Sequence, residues 1–126
     1  MKTLKLDLDG KNGLDVFLER MWIMKYMGLK VVDVRCSQTT NGWHLELDLD
    51  NEIDDLKAII MQLALGSDYR REVCNLLKVE RGCRNWNTLF RRKYRINKLG
   101  ERVQVSEEKP DPELSRKILD LLVLGE

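Results

Sequence analysis

The chain contains little cysteine, histidine or proline, and this scarcity excludes several classes of protein. Its 126 residues include three cysteines, one histidine and two prolines. Cys36, Cys74 and Cys83 show no CxxC spacing, which argues against a zinc site, and three thiols cannot all pair with one another. We therefore expect reduced cysteines. The alternative is a bridge between Cys74 and Cys83, which an intracellular protein of a hyperthermophile would tolerate.

Long hydrophobic runs are also lacking, although hydrophobic residues make up 43% of the sequence. No apolar run approaches the roughly 18 residues that a membrane span requires, and the first residues lack the layout of a signal peptide. We therefore expect an intracellular protein that does not contact the membrane. A chain of this length is sufficient for one domain with its own hydrophobic core.

The net charge of +1 conceals a segregation of charge along the chain. Within residues 69–102, eleven Lys and Arg residues stand against three Asp and Glu residues. Aromatic residues interrupt this basic segment, and such a composition is typical of surfaces that bind nucleic-acid phosphates and stack bases. The alternative is a helix and a strand with ordinary solvated faces. The candidate binding residues in the second half of the segment are Arg91, Arg92, Lys93 and Tyr94.

Hydrophobic periodicity predicts an alternation of strands and helices. Strands are predicted over residues 4–9, 30–36, 43–50 and 86–94, with a hairpin extension over 102–105. Three helices are predicted between these strands, one closed by Gly28, one capped by Asp50 or Asn51, and one capped by Ser67 or Asp68. The apolar stripes predicted to face inward are Ile53, Leu56, Ile60, Leu63 and Ala64 in the second helix, and Val73, Leu76 and Leu77 in the third.

This order of elements predicts an α+β fold of the ferredoxin-like type, also described as RRM-like or palm-like. Such a βαββαβ domain has an antiparallel sheet with helices on one face and the other face open. We predict one domain over residues 1–105, followed by a linker and an amphipathic helix over residues 106–126. The apolar stripe of that helix either covers the core or forms a homodimer.

Two of the predicted strands carry acidic residues on the side opposite their leucines. Asp7 and Asp9 alternate with leucines in the first strand, and His44 and Glu46 do so in the third. Ferredoxin-like topology makes these strands antiparallel neighbours, so the four side chains can converge within one ligand sphere. Carboxylates with one imidazole suit Mg²⁺ or Mn²⁺. We predict metal ligation by Asp7, Asp9 and Glu46, and phosphoryl transfer catalysed by Asp7, Asp9 and His44.

Two alternatives to a metal site follow from the same residues. Lys5 and Arg35 are nearby cations, and if they neutralise the carboxylates the acidic face is structural. The other alternative is the solvated outer face of an ordinary half-buried strand.

The first 50 residues resemble the archaeo-eukaryotic primase superfamily. LKLDLD is similar to its first motif, with Asp7 and Asp9, and SQTTNGWH is similar to its second motif, with Ser37, Gly42 and His44. The resemblance implies that the aspartates bind catalytic divalent metal and that Ser37 and His44 contact nucleotide phosphates. No segment clearly matches the third motif, an apolar strand carrying an aspartate, and Asp48 is the residue available for it.

Residues 30–95 resemble small uncharacterised proteins of archaeal viruses and related phages. The shared segments are ALGSDYRRE, residues 64–72, and NTLFRRK, residues 87–93. This resemblance implies a viral origin, and hence a location in the host cytoplasm. The positions shared with that group are Asp68, Arg70, Arg71, Asn87 and Lys93. Of these, we predict that Arg70, Arg71, Asn87 and Lys93 bind nucleic acid.

Three functions are consistent with these patterns. The first is a DNA- or RNA-binding protein on a primase-like or palm-like core, with or without metal-dependent phosphoryl transfer. The second is an endonuclease similar to rolling-circle replication initiators, in which His44 to Glu46 is a degenerate metal-binding strand and Tyr69 is the nucleophile. The third is a noncatalytic module that forms a homodimer through its C-terminal helix or its open sheet.

Replacing Arg91 and Lys93 together by alanine is expected to weaken binding to DNA or RNA and to flatten its salt dependence. Two lost phosphate contacts would reduce the slope of log K against log salt concentration by about 1.8 for duplex DNA. Fluorescence anisotropy at several salt concentrations measures the slope. A control variant with alanine at Lys11 and Lys30 removes the same charge outside the basic segment. An unchanged slope in the first variant would exclude the segment from the binding surface.

Overall fold

The computed structural model describes residues 1–89, 92–96 and 98–124 and shows an α+β fold, as predicted. No helix within these described ranges is long and apolar enough to cross a membrane. The strands are β1 (Thr3–Asp9), β2 (Val31–Gln38), β3 (Gly42–Leu49), β4 (Arg92–Ile96), β5 (Arg102–Glu107) and β6 (Lys109–Pro110). The helices are α1 (Gly13–Arg20), α2 (Trp22–Tyr26), α3 (Asp55–Ala64), α4 (Tyr69–Glu80) and α5 (Pro112–Leu124).

Four antiparallel strands form the main sheet in the order β1-β3-β2-β6. The prediction that β1 and β3 are antiparallel neighbours is confirmed, and Asp7 lies in register with His44. A ferredoxin-like sheet has its fourth strand beside β1, but β6 lies at the opposite edge, beside β2. β4 pairs instead with β5 in a separate two-stranded sheet. The ferredoxin-like order is therefore not confirmed.

The core lies on the face of the sheet that carries the leucines. Alternate residues of β1 and β3 are almost completely buried there, as the period of two predicts. Phe17 of α1, Ala58 of α3 and Ile118 of α5 pack against them, together with Trp86. Each fully buried leucine stabilises the fold by roughly 1.5–3 kcal/mol. The buried strand residues are Leu4, Leu6, Leu8, Leu45, Leu47 and Leu49.

The C-terminal helix α5 covers part of this core rather than projecting away from it. Its residue Ile118 is 1% exposed, and Leu114, Leu119 and Leu122 are partly buried against the core. The helix begins at the cap residue Asp111, as predicted, whose carboxylate accepts the backbone N–H of Leu114 at 3.0 Å. Its outer side exposes Leu121, Val123 and Leu124, so a homodimer through this helix stays a prediction.

Two predictions about helix boundaries were wrong. The first predicted helix is interrupted at Met21 and forms α1 and α2 instead. The cap of α3 is Asp54, whose carboxylate accepts the backbone N–H of Lys57 at 2.7 Å, and not Asp50 or Asn51. Each of these residues has a side-chain oxygen that can accept a backbone N–H, so the sequence alone does not decide which of them caps the helix.

The predicted inward stripes of α3 and α4 were largely wrong. Leu56, Ile60 and Leu63 of α3 are about half exposed, and Val73 and Leu77 of α4 are similarly exposed. The sides of these helices that face the protein include polar residues, because they border the edge of β1 and satisfy its backbone. The residues buried there are Ala58, Ile59, Met61 and Gln62 in α3, and Glu72 and Asn75 in α4.

Polar groups close the edge of β1 in the place where a neighbouring strand would pair. The backbone N–H groups of Lys5 and Asp7 donate to Gln62 Oε1 and Ser67 Oγ, at 2.9 and 3.0 Å. The Lys5 carbonyl accepts from Arg71 Nη1 at 2.8 Å, and the Asp7 carbonyl accepts from the backbone N–H of Asp68 at 2.8 Å. An unpaired buried backbone group costs about as much as a lost hydrogen bond, so these contacts replace the missing ladder.

Glu72, which is 1% exposed, holds these edge-closing side chains together. One of its carboxylate oxygens accepts from Gln62 Nε2 at 2.7 Å and from Asn75 Nδ2 at 3.0 Å. The other accepts from Ser67 Oγ at 2.7 Å and from Arg71 Nη1 at 2.5 Å. A buried carboxylate with four donors, one of them a cation, is satisfied, and its removal would leave the Arg71 charge without its partner.

Glu72→Ala is expected to lower the free energy of unfolding by about 3–5 kcal/mol, because it leaves a largely buried guanidinium unpaired. Glu80→Ala, on the exposed side of the same helix, is the matched control and should change it by less than about 0.5 kcal/mol. Urea denaturation followed by circular dichroism measures both variants. If both variants lower the free energy of unfolding by the same small amount, the hydrogen bonds around Glu72 contribute little to stability.

Candidate metal centre and adjoining pocket

Three carboxylates meet at the C-terminal end of β1. Asp7 and Asp9 lie on that strand, Asp68 caps α4, and each offers one oxygen within 4.8 Å of the others. The backbone N–H of Asp68 donates to the Asp7 carbonyl at 2.8 Å, and this bond brings the cap beside the strand. We call these three residues the aspartate cluster.

A close approach of backbones shapes the sheet beside the aspartate cluster. Gly42, at the start of β3, lies in register with Asp9. A Cβ atom at this position would overlap the carbonyl oxygen of Leu8, so only glycine allows the two strands to come this close. The adjacent Gly10 donates its N–H to the carbonyl of Asn41 at 2.6 Å. The loop between β2 and β3 is thereby held against the end of β1.

Asp68 was predicted as a helix cap, and this is confirmed, since its carboxylate accepts the backbone N–H of Arg70 at 3.1 Å. Its place beside Asp7 and Asp9 was not predicted. The features of the sequence that could have drawn attention to Asp68 are that it is shared with the viral proteins and that it immediately precedes the basic segment. Nothing in that pattern shows that the start of α4 docks on the edge of β1, because that docking depends on side chains distributed over residues 62–87.

The other carboxylates of the acidic face bind Arg35. Its guanidinium contacts Glu46 at 2.9 Å and Asp33 at 3.3 Å, and it forms two hydrogen bonds with Asp48. Hydrogen bonding to Asp48 raises the pKa of Arg35, and the same contact holds the pKa of Asp48 below its usual range. Lys5 and Arg35 were the two cations considered as neutralising groups. Arg35 is the one that offsets the charges of Glu46 and Asp48. Neither Glu46 nor His44 belongs to the aspartate cluster itself.

His44 lies between the aspartate cluster and a carboxylate from a distant part of the chain. Its Nδ1 is 2.6 Å from Glu108 Oε2, and its Nε2 is 3.6 Å from Asp7 Oδ1. The side chains of His44 and Glu108 are 8% and 9% exposed. Glu108 lies between β5 and β6, in the predicted linker, and sequence analysis did not select it.

The predicted nucleic-acid residues have different environments. Arg71 and Asn87 belong to the edge-closing network, where Arg71 Nη2 donates to Asn87 Oδ1 at 2.7 Å. Ser37 is buried in register with His44. Arg70 is exposed, and its pKa is raised by a hydrogen bond to Asp68 and, more weakly, by the charge of Asp9. Arg91 and the side chains of Arg92, Lys93 and Tyr94 lie outside the described residues.

A pocket of about 510 Å³ opens beside His44, between the outer edge of β2 and helix α5. Its volume falls in the range of small-ligand sites. Cys36 borders it, and burial raises the pKa of this thiol to about 12, so the thiol is not a nucleophile at neutral pH. All three cysteines are free in this structure, which does not show the alternative bridge between Cys74 and Cys83. The polar residues lining the pocket include Arg35, Ser37, His44, Glu46, Glu108 and Arg116.

Comparisons with protein-family models, with curated proteins and with solved structures found no match to this chain. The resemblances to primases and to viral proteins therefore stay predictions that rest on the short motifs themselves. The description of the site rests on its geometry alone.

Asp48→Asn is expected to remove a contribution to the free energy of unfolding that depends on pH. Because Arg35 lowers the pKa of Asp48 in the folded chain, the ionised carboxylate favours folding above its usual pKa of about 4, and this contribution is lost as pH falls through the lowered value. Wild type should exceed the variant by roughly 0.5–1 kcal/mol at pH 7, as for an exposed ion pair, and the difference should shrink with acidification.

Urea denaturation at a series of pH values from 7 to about 2 measures this difference in the free energy of unfolding. Asp15→Asn, at an exposed position of α1, is the control for loss of one negative charge. A stability difference for Asp48→Asn that stays constant over the whole pH range would contradict the role given to Arg35.

Proposed function

We propose that this protein binds nucleic acid and holds a divalent metal ion at the aspartate cluster for phosphoryl transfer. The observation that carries the proposal is the convergence of Asp7, Asp9 and Asp68, with oxygens within 4.8 Å of one another, on the side of the sheet that presents His44. Carboxylates this close repel one another unless a cation offsets them. Arg70, at 3.3 Å from Asp68 Oδ1, is one such cation, and a metal ion would be another.

The chemistry of the donors favours Mg²⁺ or Mn²⁺ as the ion. Both bind carboxylate oxygens, and Mn²⁺ accepts an imidazole nitrogen as well. A bound ion at this position would neutralise phosphate oxygens and activate the attacking group. The ion would be held by Asp7, Asp9 and Asp68. The exposed side chain of Arg70 would bring a nucleic-acid phosphate beside it.

The arrangement of β1, β3 and β2 supports a primase-like or palm-like core for this function. The central neighbours β1 and β3 bring the two resemblance motifs together, because Asp7 lies in register with His44, and His44 with Ser37. In this proposal Asp68 supplies the third carboxylate from a helix cap, and not from a strand as in the third motif, for which Asp48 was the candidate. The basic segment over residues 69–102 begins one residue after Asp68, and its first arginine, Arg70, adjoins the proposed metal site.

A thermal-shift titration with Mn²⁺ and Mg²⁺ tests the metal site. At a metal concentration ten times the dissociation constant, the wild-type protein should gain about 1.4 kcal/mol, which corresponds to roughly 4–6 °C in melting temperature. Asp9→Asn and Asp68→Asn should lose most of this gain, and asparagine retains the helix cap at the second position. The control Asp15→Asn should respond as wild type does. A metal response that is the same in all four proteins would refute the site.

Exposure of Tyr69 favours a second candidate function, that of an endonuclease similar to rolling-circle initiators. Tyr69 is 66% exposed and follows Asp68 directly. In such a reaction the tyrosine oxygen bonds to the phosphorus of a phosphodiester and the 3′-hydroxyl leaves. Wild type would then form a covalent adduct with single-stranded DNA that disappears in Tyr69→Phe but not in Tyr26→Phe. Metal binding without any adduct would favour the first function.

A further inference from the structure

We propose that Glu108 is the positioning residue of His44, and that it presents the Nε2 atom of His44 to the aspartate cluster as a nitrogen ligand. This inference rests on the metal site proposed above, and it adds a residue from a segment that neither resemblance includes. It assigns the imidazole a defined tautomer. In that tautomer Nδ1 carries the hydrogen and Nε2 carries the lone pair.

The contacts of the ring give its two nitrogen atoms different roles. Nδ1 is 2.6 Å from Glu108 Oε2, which is a short hydrogen-bond distance to a carboxylate oxygen, and in the proposed tautomer Nδ1 donates. Nε2 is 3.6 Å from Asp7 Oδ1, which is too long for a hydrogen bond but still faces that carboxylate. A carboxylate that accepts one ring N–H fixes the orientation of the imidazole and leaves the other nitrogen able to bind a cation.

The burial of the pair makes the contact specific. The side chains of His44 and Glu108 are each more than nine-tenths buried, and a charge-assisted hydrogen bond is stronger where water is excluded. The two residues are 64 positions apart in the sequence. The contact is therefore built by the tertiary fold and is not an accident of local chain geometry.

The docking of β6 on the sheet explains how Glu108 reaches the histidine. Pro110 and Lys109 pair with Ser37 and Gln38 of β2, and Ser37 lies in register with His44. The backbone N–H of Asp111 then donates to the Cys36 carbonyl at 2.8 Å. These bonds fix the backbone on both sides of the turn into α5, so the carboxylate of Glu108 is held over the outer face of β3.

The tautomer can be measured directly because His44 is the only histidine in the chain. A two-bond ¹H–¹⁵N correlation spectrum of metal-free protein labelled at histidine identifies which ring nitrogen carries the hydrogen. Wild type should show the Nδ1–H form, and Glu108→Ala should shift the ring towards the Nε2–H form. Glu108→Gln retains an oxygen that can accept from Nδ1, so it should keep more of the wild-type tautomer.

Glu113→Ala is the matched control, since it removes an exposed glutamate from the same part of the chain and should leave the spectrum unchanged. Circular dichroism establishes that each variant is folded, and Glu108→Leu, which also lacks an acceptor, serves if Glu108→Ala does not fold. A wild-type ring that carries its hydrogen on Nε2 overturns the inference. An unchanged tautomer in folded Glu108→Ala or Glu108→Leu also overturns it.

A Mn²⁺ titration then separates this inference from the proposed function. Paramagnetic broadening of the His44 ring signals should appear in wild type, and Glu108→Ala should weaken Mn²⁺ binding by about 10–100-fold. Equal Mn²⁺ affinity in wild type and Glu108→Ala would overturn the role of Glu108 while the proposed function stands. If Mn²⁺ does not broaden the wild-type signals, the metal site itself fails, although the tautomer of the metal-free protein still decides whether Glu108 orients the ring.

Discussion

The side-chain closure of the β1 edge is the constraint on which the rest of the structure depends. An edge strand next to a core must satisfy its outward N–H and C=O groups, and here helices α3 and α4 and the loop between them supply the partners. This requirement decides which sides of both helices face inward. It also places Asp68 against Asp7 through a backbone hydrogen bond. The aspartate cluster therefore exists because the edge of the sheet is closed in this way.

The outer face of the sheet divides its acidic residues into two groups with different environments. Arg35 binds Glu46, Asp48 and Asp33, so a cation within the fold offsets part of the negative charge of this group. The aspartate cluster lies at the end of β1, where exposed Arg70 contacts one of its members. The alternative of a structural acidic face thus applies to the Arg35 group, and the metal site that we propose lies in another part of the same surface.

The sequence predicted the elements that local pattern specifies and missed those that depend on distant partners. Alternation with leucine predicted β1 and β3, because a period of two leaves few ways to bury one face. The register that pairs Asp7 with His44 was not predicted. The faces of α3 and α4 were mispredicted, because each helix has more apolar residues than its buried side can hold. Gln62 is buried because it bonds the backbone of β1, and Glu72 is buried because it holds the groups that do so. Glu108 contacts His44, which is 64 positions away in the sequence. No local pattern carries that information.

The separation in sequence between β1 and its edge partners has a consequence for how the chain folds. Lys5 and Asp7 bond with groups 57–66 positions later, and Thr3 with Asn87, 84 positions away. Loops of this length close at an entropic cost before their contacts form, which slows folding. During synthesis β1 leaves the ribosome before α3 and α4, and its edge stays unsatisfied until these helices have been made. An incomplete chain at this stage presents a strand that a second nascent chain can pair with.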